Sequence, residues 1–169
     1  MKRTALIATL TLLSTTPAFA HAGHGIASGF LHPFLGWDHL MAMLAVGAWG
    51  ATLGGRAIWA VPAAFVSAMI VGGAFGMAGI EVPFVETMIL ASVLVLAALA
   101  IARVKLPVWS GMAVVGLFAL AHGFAHGSEM PALANMWVYG AGFVAATSLI
   151  HALGALAALT VMRMKAVRA

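Results

Sequence analysis

The sequence predicts an all-α fold, a polytopic membrane helical bundle with about five transmembrane helices once a signal peptide is removed. Of its 169 residues, 64% are hydrophobic and only 7% are Asp, Glu, Lys or Arg. Apolar runs of about 20 residues recur along the chain, and each is long enough to cross roughly 30 Å of hydrocarbon. These runs do not alternate polar and apolar residues, as the strands of a membrane β-barrel do.

The first element is a cleavable signal peptide. Two cations near the start precede an apolar stretch at residues 5–13, and residues 18–20 read Ala-Phe-Ala. This order is typical of a secretory signal with a small-x-small cleavage site. The sequence therefore divides into a signal peptide at 1–20 and a single transmembrane helical domain at 21–169.

Cleavage would leave His21 and His24 at the start of the mature chain. The α-amine and imidazole of a terminal His21 form a chelating pair for a divalent metal. An equally good interpretation is a flexible polar leader whose histidines have no specific role.

Five apolar segments follow, at residues 27–53, 57–80, 84–102, 106–127 and 133–162. The chain has eight Lys and Arg, and the six outside the signal peptide lie after the first, third and fifth segments. By the positive-inside rule, this pattern predicts a periplasmic mature N terminus and a cytoplasmic C terminus in the bacterial inner membrane. The basic balance therefore indicates membrane orientation, with no nucleic-acid partner. The fifth segment is long enough to contain a re-entrant piece.

Ionisable residues are concentrated in the first segment, at His32, Asp38 and His39. Ionisable side chains inside a membrane segment are expensive and mark functional sites. With Pro33 in the first turn of one continuous helix, His32 and His39 would share a face and Asp38 would flank it.

A second cluster ends the fourth segment. His122 and His126 are four residues apart and Glu129 follows three residues later, so the three form one stripe on a helix. Since the predicted topology brings both clusters to the same side of the membrane, we expect them to meet. Glu86, in the first turn of the third segment on that side, is a further candidate to complete the site or relay a proton.

Imidazole and carboxylate ligands suit Ni²⁺, Co²⁺, Zn²⁺ or Cu²⁺, and ligand type alone does not choose among them. The chain has no cysteine, which excludes thiolate ligands and disulfides. The Glu of zinc metalloproteases and a nucleotide-binding P-loop are both missing from the sequence, so an enzyme is not expected. The isolated His151 is typical of an interhelical hydrogen-bonder, with an exit-side stop for an ion as the alternative.

The two clusters resemble the HX5DH and FHGX(A/V)HGXE motifs of the HupE/UreJ family of nickel permeases. The second motif matches at both histidines, at Gly123 and Gly127, at Ala125 and at Glu129, and it departs at Ala121, where the family usually has Phe. The resemblance implies an ATP-independent carrier that brings Ni²⁺ to the cytoplasm for hydrogenase or urease metallocentre assembly. It also implies that the histidines and carboxylates of both motifs are functional, with Ni²⁺ as transported substrate and no permanently bound cofactor.

Several alternatives stay open at the level of sequence. The substrate could be Co²⁺, Zn²⁺ or Cu²⁺ instead of Ni²⁺. A membrane subunit with bis-His haem belongs to another class, although acidic residues beside the histidines argue against it. A non-transporting scaffold or metal sensor is a third hypothesis. Glycine-rich helix faces also permit a homo-oligomer in the lipid bilayer.

Overall fold

A computed structural model describes residues 25–168 of the chain. These residues form six α-helices and one 3-10 turn, without any strand, so the all-α prediction is confirmed for them. The elements are α1 (Ile26–Leu31), the 3-10 turn (His32–Phe34), α2 (Trp37–Leu53), α3 (Ala57–Met77), α4 (Val85–Ile101), α5 (Val108–Ser128) and α6 (Met136–Val167). The predicted signal peptide and the candidate ligands His21 and His24 lie outside the described residues.

Three of these helices, α3, α5 and α6, are long and apolar enough to cross a membrane, and α4 is a shorter apolar helix of 17 residues. Helix α6 runs for 32 residues without interruption. The long fifth segment is therefore one continuous helix and contains no re-entrant piece. Asn135 begins it, because its side chain accepts hydrogen bonds from the backbone N–H groups of Trp137 and Val138.

Helices α3 and α5 run parallel and pack closely through glycine. Gly72 and Gly76 of α3 lie against the backbone of α5, and Gly123 and Gly127 of α5 lie against the backbone of α3. At each position, a Cβ atom would fall on backbone atoms of the partner helix. Small residues allow membrane helices to approach in this way.

The same arrangement joins α2 to α6. Gly47 of α2 lies against the carbonyl of His151, and Gly154 of α6 lies against the carbonyl of Leu44. Near the start of α6, the carbonyl of Tyr139 lies against Gly29 of α1, which precedes α2 in the chain, so α2 and α6 run in the same direction. The four histidines of the two motifs consequently fall at one end of the bundle, which we call the histidine end.

The opposite end carries the positive charge. We call it the cationic end, and its basic residues are Arg56, Arg103, Lys105, Arg163, Lys165 and Arg168. Exposed tryptophans lie near both ends, Trp37 and Trp137 at the histidine end and Trp59 and Trp109 at the cationic end. Two aromatic belts of this kind are typical of membrane–water interfaces.

Candidate metal centre

The helix that carries the first motif is interrupted between His32 and His39. Pro33 lies in the 3-10 turn, Gly36 is extended (φ −92°, ψ 111°), and α2 begins only at Trp37. The prediction of one continuous helix through this segment was wrong, because Pro33 has no N–H with which to continue the α-helical ladder. His32 and His39 therefore lie on different elements, and the break determines how they approach the second motif.

Three imidazoles meet inside the bundle, and we call His39, His122 and His126 the buried triad. One ligand atom from each lies within 4.8 Å of the others. The ring centroids of His39 and His122 are 4.8 Å apart, and those of His39 and His126 are 4.2 Å apart. His122 is fully buried and the other two are nearly so.

A second group, which we call the surface triad, consists of His32, His126 and Glu129. Their ligand atoms also lie within 4.8 Å of one another. His32 Nε2 is 3.4 Å from Glu129 Oε2, and His126 Nδ1 is 3.9 Å from the same oxygen. Because His126 belongs to both triads, the ligands run without a gap from a half-exposed carboxylate to the buried His122.

Glu129 ends α5 and lies beyond its last helical residue. The adjacent His32 side chain, more than the opposing effect of burial, holds the pKa of the Glu129 carboxyl below its usual range. The group is therefore an anion at neutral pH. It gives the exposed side of the surface triad the charge that attracts a cation.

Asp38 lies behind His39 and outside both triads. Its Oδ1 accepts hydrogen bonds of 2.8 Å from His39 Nδ1 and from the His39 backbone N–H. His39 Nε2 is then left buried without a hydrogen-bond partner among residues 25–168. The sequence predicted that Asp38 is a metal ligand. In the structure, it lies where a carboxylate would orient a metal-binding imidazole.

Ser92 of α4 was not among the residues predicted from the sequence. It orients the imidazole of His122, as Asp38 orients that of His39. Its hydroxyl donates to the carbonyl of Ile89 at 2.6 Å, so it accepts from His122 Nε2 at 2.8 Å. His122 Nδ1 therefore carries the free lone pair, and it is buried without a partner in the described part of the chain. Ser92 is the one polar side chain of α4 beyond the first turn of that helix, and this was the available signal.

Two candidates from the sequence lie elsewhere. Glu86 is exposed in the first turn of α4 and belongs to neither triad. His151 is buried in α6, and neither of its ring nitrogens has a hydrogen-bond partner within the described residues. Its interpretation as an interhelical hydrogen-bonder was therefore wrong; its ring instead meets that of Phe65 edge-on at 5.1 Å.

Aromatic side chains surround the two triads. Phe143 packs against His126 at a centroid distance of 4.4 Å, and Phe65 packs against His122 at 5.6 Å. Tyr139 lies 5.9 Å from His32. These rings limit the access of water to the buried triad. An ion bound there by three imidazole nitrogens would retain an open coordination position, because such ions commonly take four ligands.

We expect Ser92→Ala to weaken metal binding by about 10–100-fold, as loss of a group that orients a ligand commonly does. Without the hydroxyl, His122 is free to change tautomer and to turn its lone pair away from the triad. Titration of purified protein with Co²⁺, followed by its visible spectrum, would measure the change. Thr160→Ala is the matched control, since the exposed Thr160 hydroxyl donates to the carbonyl of Leu156 one turn before it and lies outside both triads. Equal affinity in both variants would contradict the role of Ser92.

Comparison with known proteins agrees with these motifs. Residues 8–169 match the family described as HupE / UreJ protein. Protein HupE of Rhizobium leguminosarum bv. viciae is 46% identical over 159 residues, which cover 91% of this chain and 83% of that protein. No solved structure shows a significant match. The chain belongs to the HupE/UreJ family, a family of membrane accessory and transport proteins associated with hydrogenase and urease.

Proposed function

We propose that the protein is an ATP-independent carrier of Ni²⁺, which supplies hydrogenase or urease metallocentre assembly. The observation that supports this most is the continuous set of ligands formed by two triads that share His126. Such a set suits an ion that moves inward stepwise. Membership of the HupE/UreJ family favours Ni²⁺ over Co²⁺, Zn²⁺ and Cu²⁺, which the ligand types alone do not distinguish.

The distribution of charge supports an orientation in the inner membrane. All basic residues of the described range lie at the cationic end, which the positive-inside rule assigns to the cytoplasm. The histidine end then faces the periplasm, together with the mature N terminus and its His21 and His24. Uptake would accordingly begin at the surface triad.

In this mechanism, Glu129 and His32 take a hydrated ion from the periplasm. His126 passes the ion from the surface triad to the buried triad, where imidazoles replace water. The surface triad uses nitrogen and oxygen ligands and the buried triad uses nitrogen ligands alone. Neither uses thiolate, which favours exchange over permanent capture. His122 is fully buried, so release on the other side requires the helices to rearrange.

Uptake of radiolabelled Ni²⁺ into cells without their own nickel importers tests the proposal. We expect uptake with the wild-type protein, weak competition by Co²⁺ and Zn²⁺, and no uptake with the double variant His39→Ala/His122→Ala at matched expression. Equal uptake by both proteins would show that the motif histidines are structural. Uptake of a competitor in place of Ni²⁺ would retain the site and change its substrate.

Uptake should also fall in acid, because protons compete with the metal for the imidazole lone pairs. The pKa of the Glu129 carboxyl lies below its usual range, so this carboxylate stays ionised between pH 7 and pH 5, and a loss of uptake there does not come from its protonation. Initial rates at constant free Ni²⁺ and constant membrane potential would measure the effect. Uptake that stays unchanged down to the lowest pH at which the protein remains folded would contradict histidine ligation.

A bis-His haem is less well supported. It requires two imidazoles on opposite faces of a wide, flat macrocycle. The ring of His39 instead packs 4.8 Å from that of His122 and 4.2 Å from that of His126. Phe65 and Phe143 pack against the other sides of these histidines. An absorption spectrum of the purified protein without a Soret band would remove this alternative.

A further inference from the structure

His151 is a buried imidazole outside both triads. Its side chain is 2% exposed, and neither ring nitrogen has a hydrogen-bond partner among the described residues. A neutral imidazole offers one donor and one acceptor, and leaving both unpaired in the interior is costly. Packing alone does not account for a polar ring at this position, since an apolar side chain would fill the same space without that cost.

His151 lies deeper in the bundle than the buried triad. Its carbonyl contacts Gly47, which follows His39 in α2 by eight residues. At about 1.5 Å per residue, this places the His151 carbonyl roughly 12 Å beyond the level of His39 toward the cationic end. The position falls on the route that an ion would take from the buried triad to the far side.

One aromatic ring connects the two positions. Phe65 is fully buried, and its ring centroid lies 5.6 Å from that of His122 and 5.1 Å from that of His151. Since Phe65 has no ligand atom, an ion that leaves His122 would find its next imidazole at His151 after this side chain moves.

An open cleft continues from His151 toward the cationic end. It lies between α3 and α6, carries the polar side chains of Ser67 and Ser148 beside His151, and extends to Trp59 and Leu159. The hydroxyl oxygens of Ser67 and Ser148 are donors that could replace part of an ion's hydration shell.

We propose that His151 is a further metal-binding position, which takes the divalent cation between the buried triad and its release at the cationic end. This inference rests on the proposed transport function. One imidazole assisted by hydroxyls and water binds more weakly than three imidazoles do. Weak binding is what an exit position needs, because the ion must leave it readily.

Comparison of binding with flux provides the first test. In proteoliposomes, we expect His151→Leu to reduce Ni²⁺ flux by at least about tenfold, while Ni²⁺ affinity at the triads changes less than about twofold. Ile150→Val, a change at a buried neighbour without a ligand atom, should leave both unchanged. Flux by His151→Leu equal to that of the wild type would overturn the inference and leave the carrier function intact.

A cysteine probe tests the position even where flux is lost. The natural chain has no cysteine, so His151→Cys introduces a single thiol at the proposed position. We expect Co²⁺ to give this variant a thiolate charge-transfer band in the near ultraviolet, and to give none to Ile150→Cys. Absence of the band in His151→Cys, with the triads loaded, would overturn the inference. If wild-type vesicles showed no flux, the carrier function would fail, whereas the band would still decide whether metal reaches residue 151.

Discussion

His126→Ala is expected to abolish metal uptake and to produce the largest loss of any single ligand substitution. His126 is the only residue of the described range that belongs to both triads. Its removal leaves two ligands in each triad and breaks the continuity between them. We expect the initial rate of Ni²⁺ uptake to fall by roughly 100-fold or more, above the range that loss of an orienting group produces.

Two other ligand variants would show whether this loss arises because His126 belongs to both triads. His32→Ala removes a ligand from the surface triad alone, and His39→Ala removes one from the buried triad alone. We expect His32→Ala to raise the Ni²⁺ concentration needed for half-maximal uptake, and His39→Ala to reduce the maximal rate. His126→Ala should do both.

Leu117→Ala is the matched control on α5, because Leu117 is exposed on the outer surface of the bundle. All variants would be compared at equal amounts of membrane-inserted protein. Uptake by His126→Ala at half the wild-type rate or above would contradict a shared ligand and would favour two independent sites.

Gly123→Ala is expected to destabilise the bundle although it adds one methyl group. The new Cβ would fall on backbone atoms of Met69 and Gly73 in α3, which no side-chain rotation can relieve. Overpacking of this kind typically costs about 1–3 kcal/mol, and more where the backbone must move. Because His122 adjoins Gly123, separation of α3 from α5 should also displace the buried triad and reduce uptake.

Gly116→Ala on the same helix is the matched control. Its Cβ would lie 3.8 Å from the Cβ of Ala68, an ordinary contact. Thermal unfolding of both variants in detergent, followed by circular dichroism, should show a lower midpoint for Gly123→Ala and an unchanged midpoint for Gly116→Ala. Equal midpoints would show that close packing at Gly123 does not contribute to stability.

The sequence determined the helical class and the residue types of the metal centre, since both depend on local information. Apolar runs of spanning length predict membrane helices wherever they occur. Charge in such runs is rare enough that His32, His39, His122, His126 and Glu129 stand out without a structure. Because the first motif begins the first predicted span and the second motif ends the fourth, the alternating direction of the spans predicts that both motifs lie at the same end. The structure places them there.

Only the tertiary structure shows which of these residues contact one another and to which triad each belongs. Helical periodicity placed His32 and His39 on one face, but Pro33 interrupts the helix and the two imidazoles reach His126 from different elements. The partner of His122 is Ser92, 30 residues away on another helix. Spacing along one helix does not encode contacts between helices, because these depend on how closely the glycines let the backbones approach. The structure brings His126 into both triads and leaves Glu86 outside them.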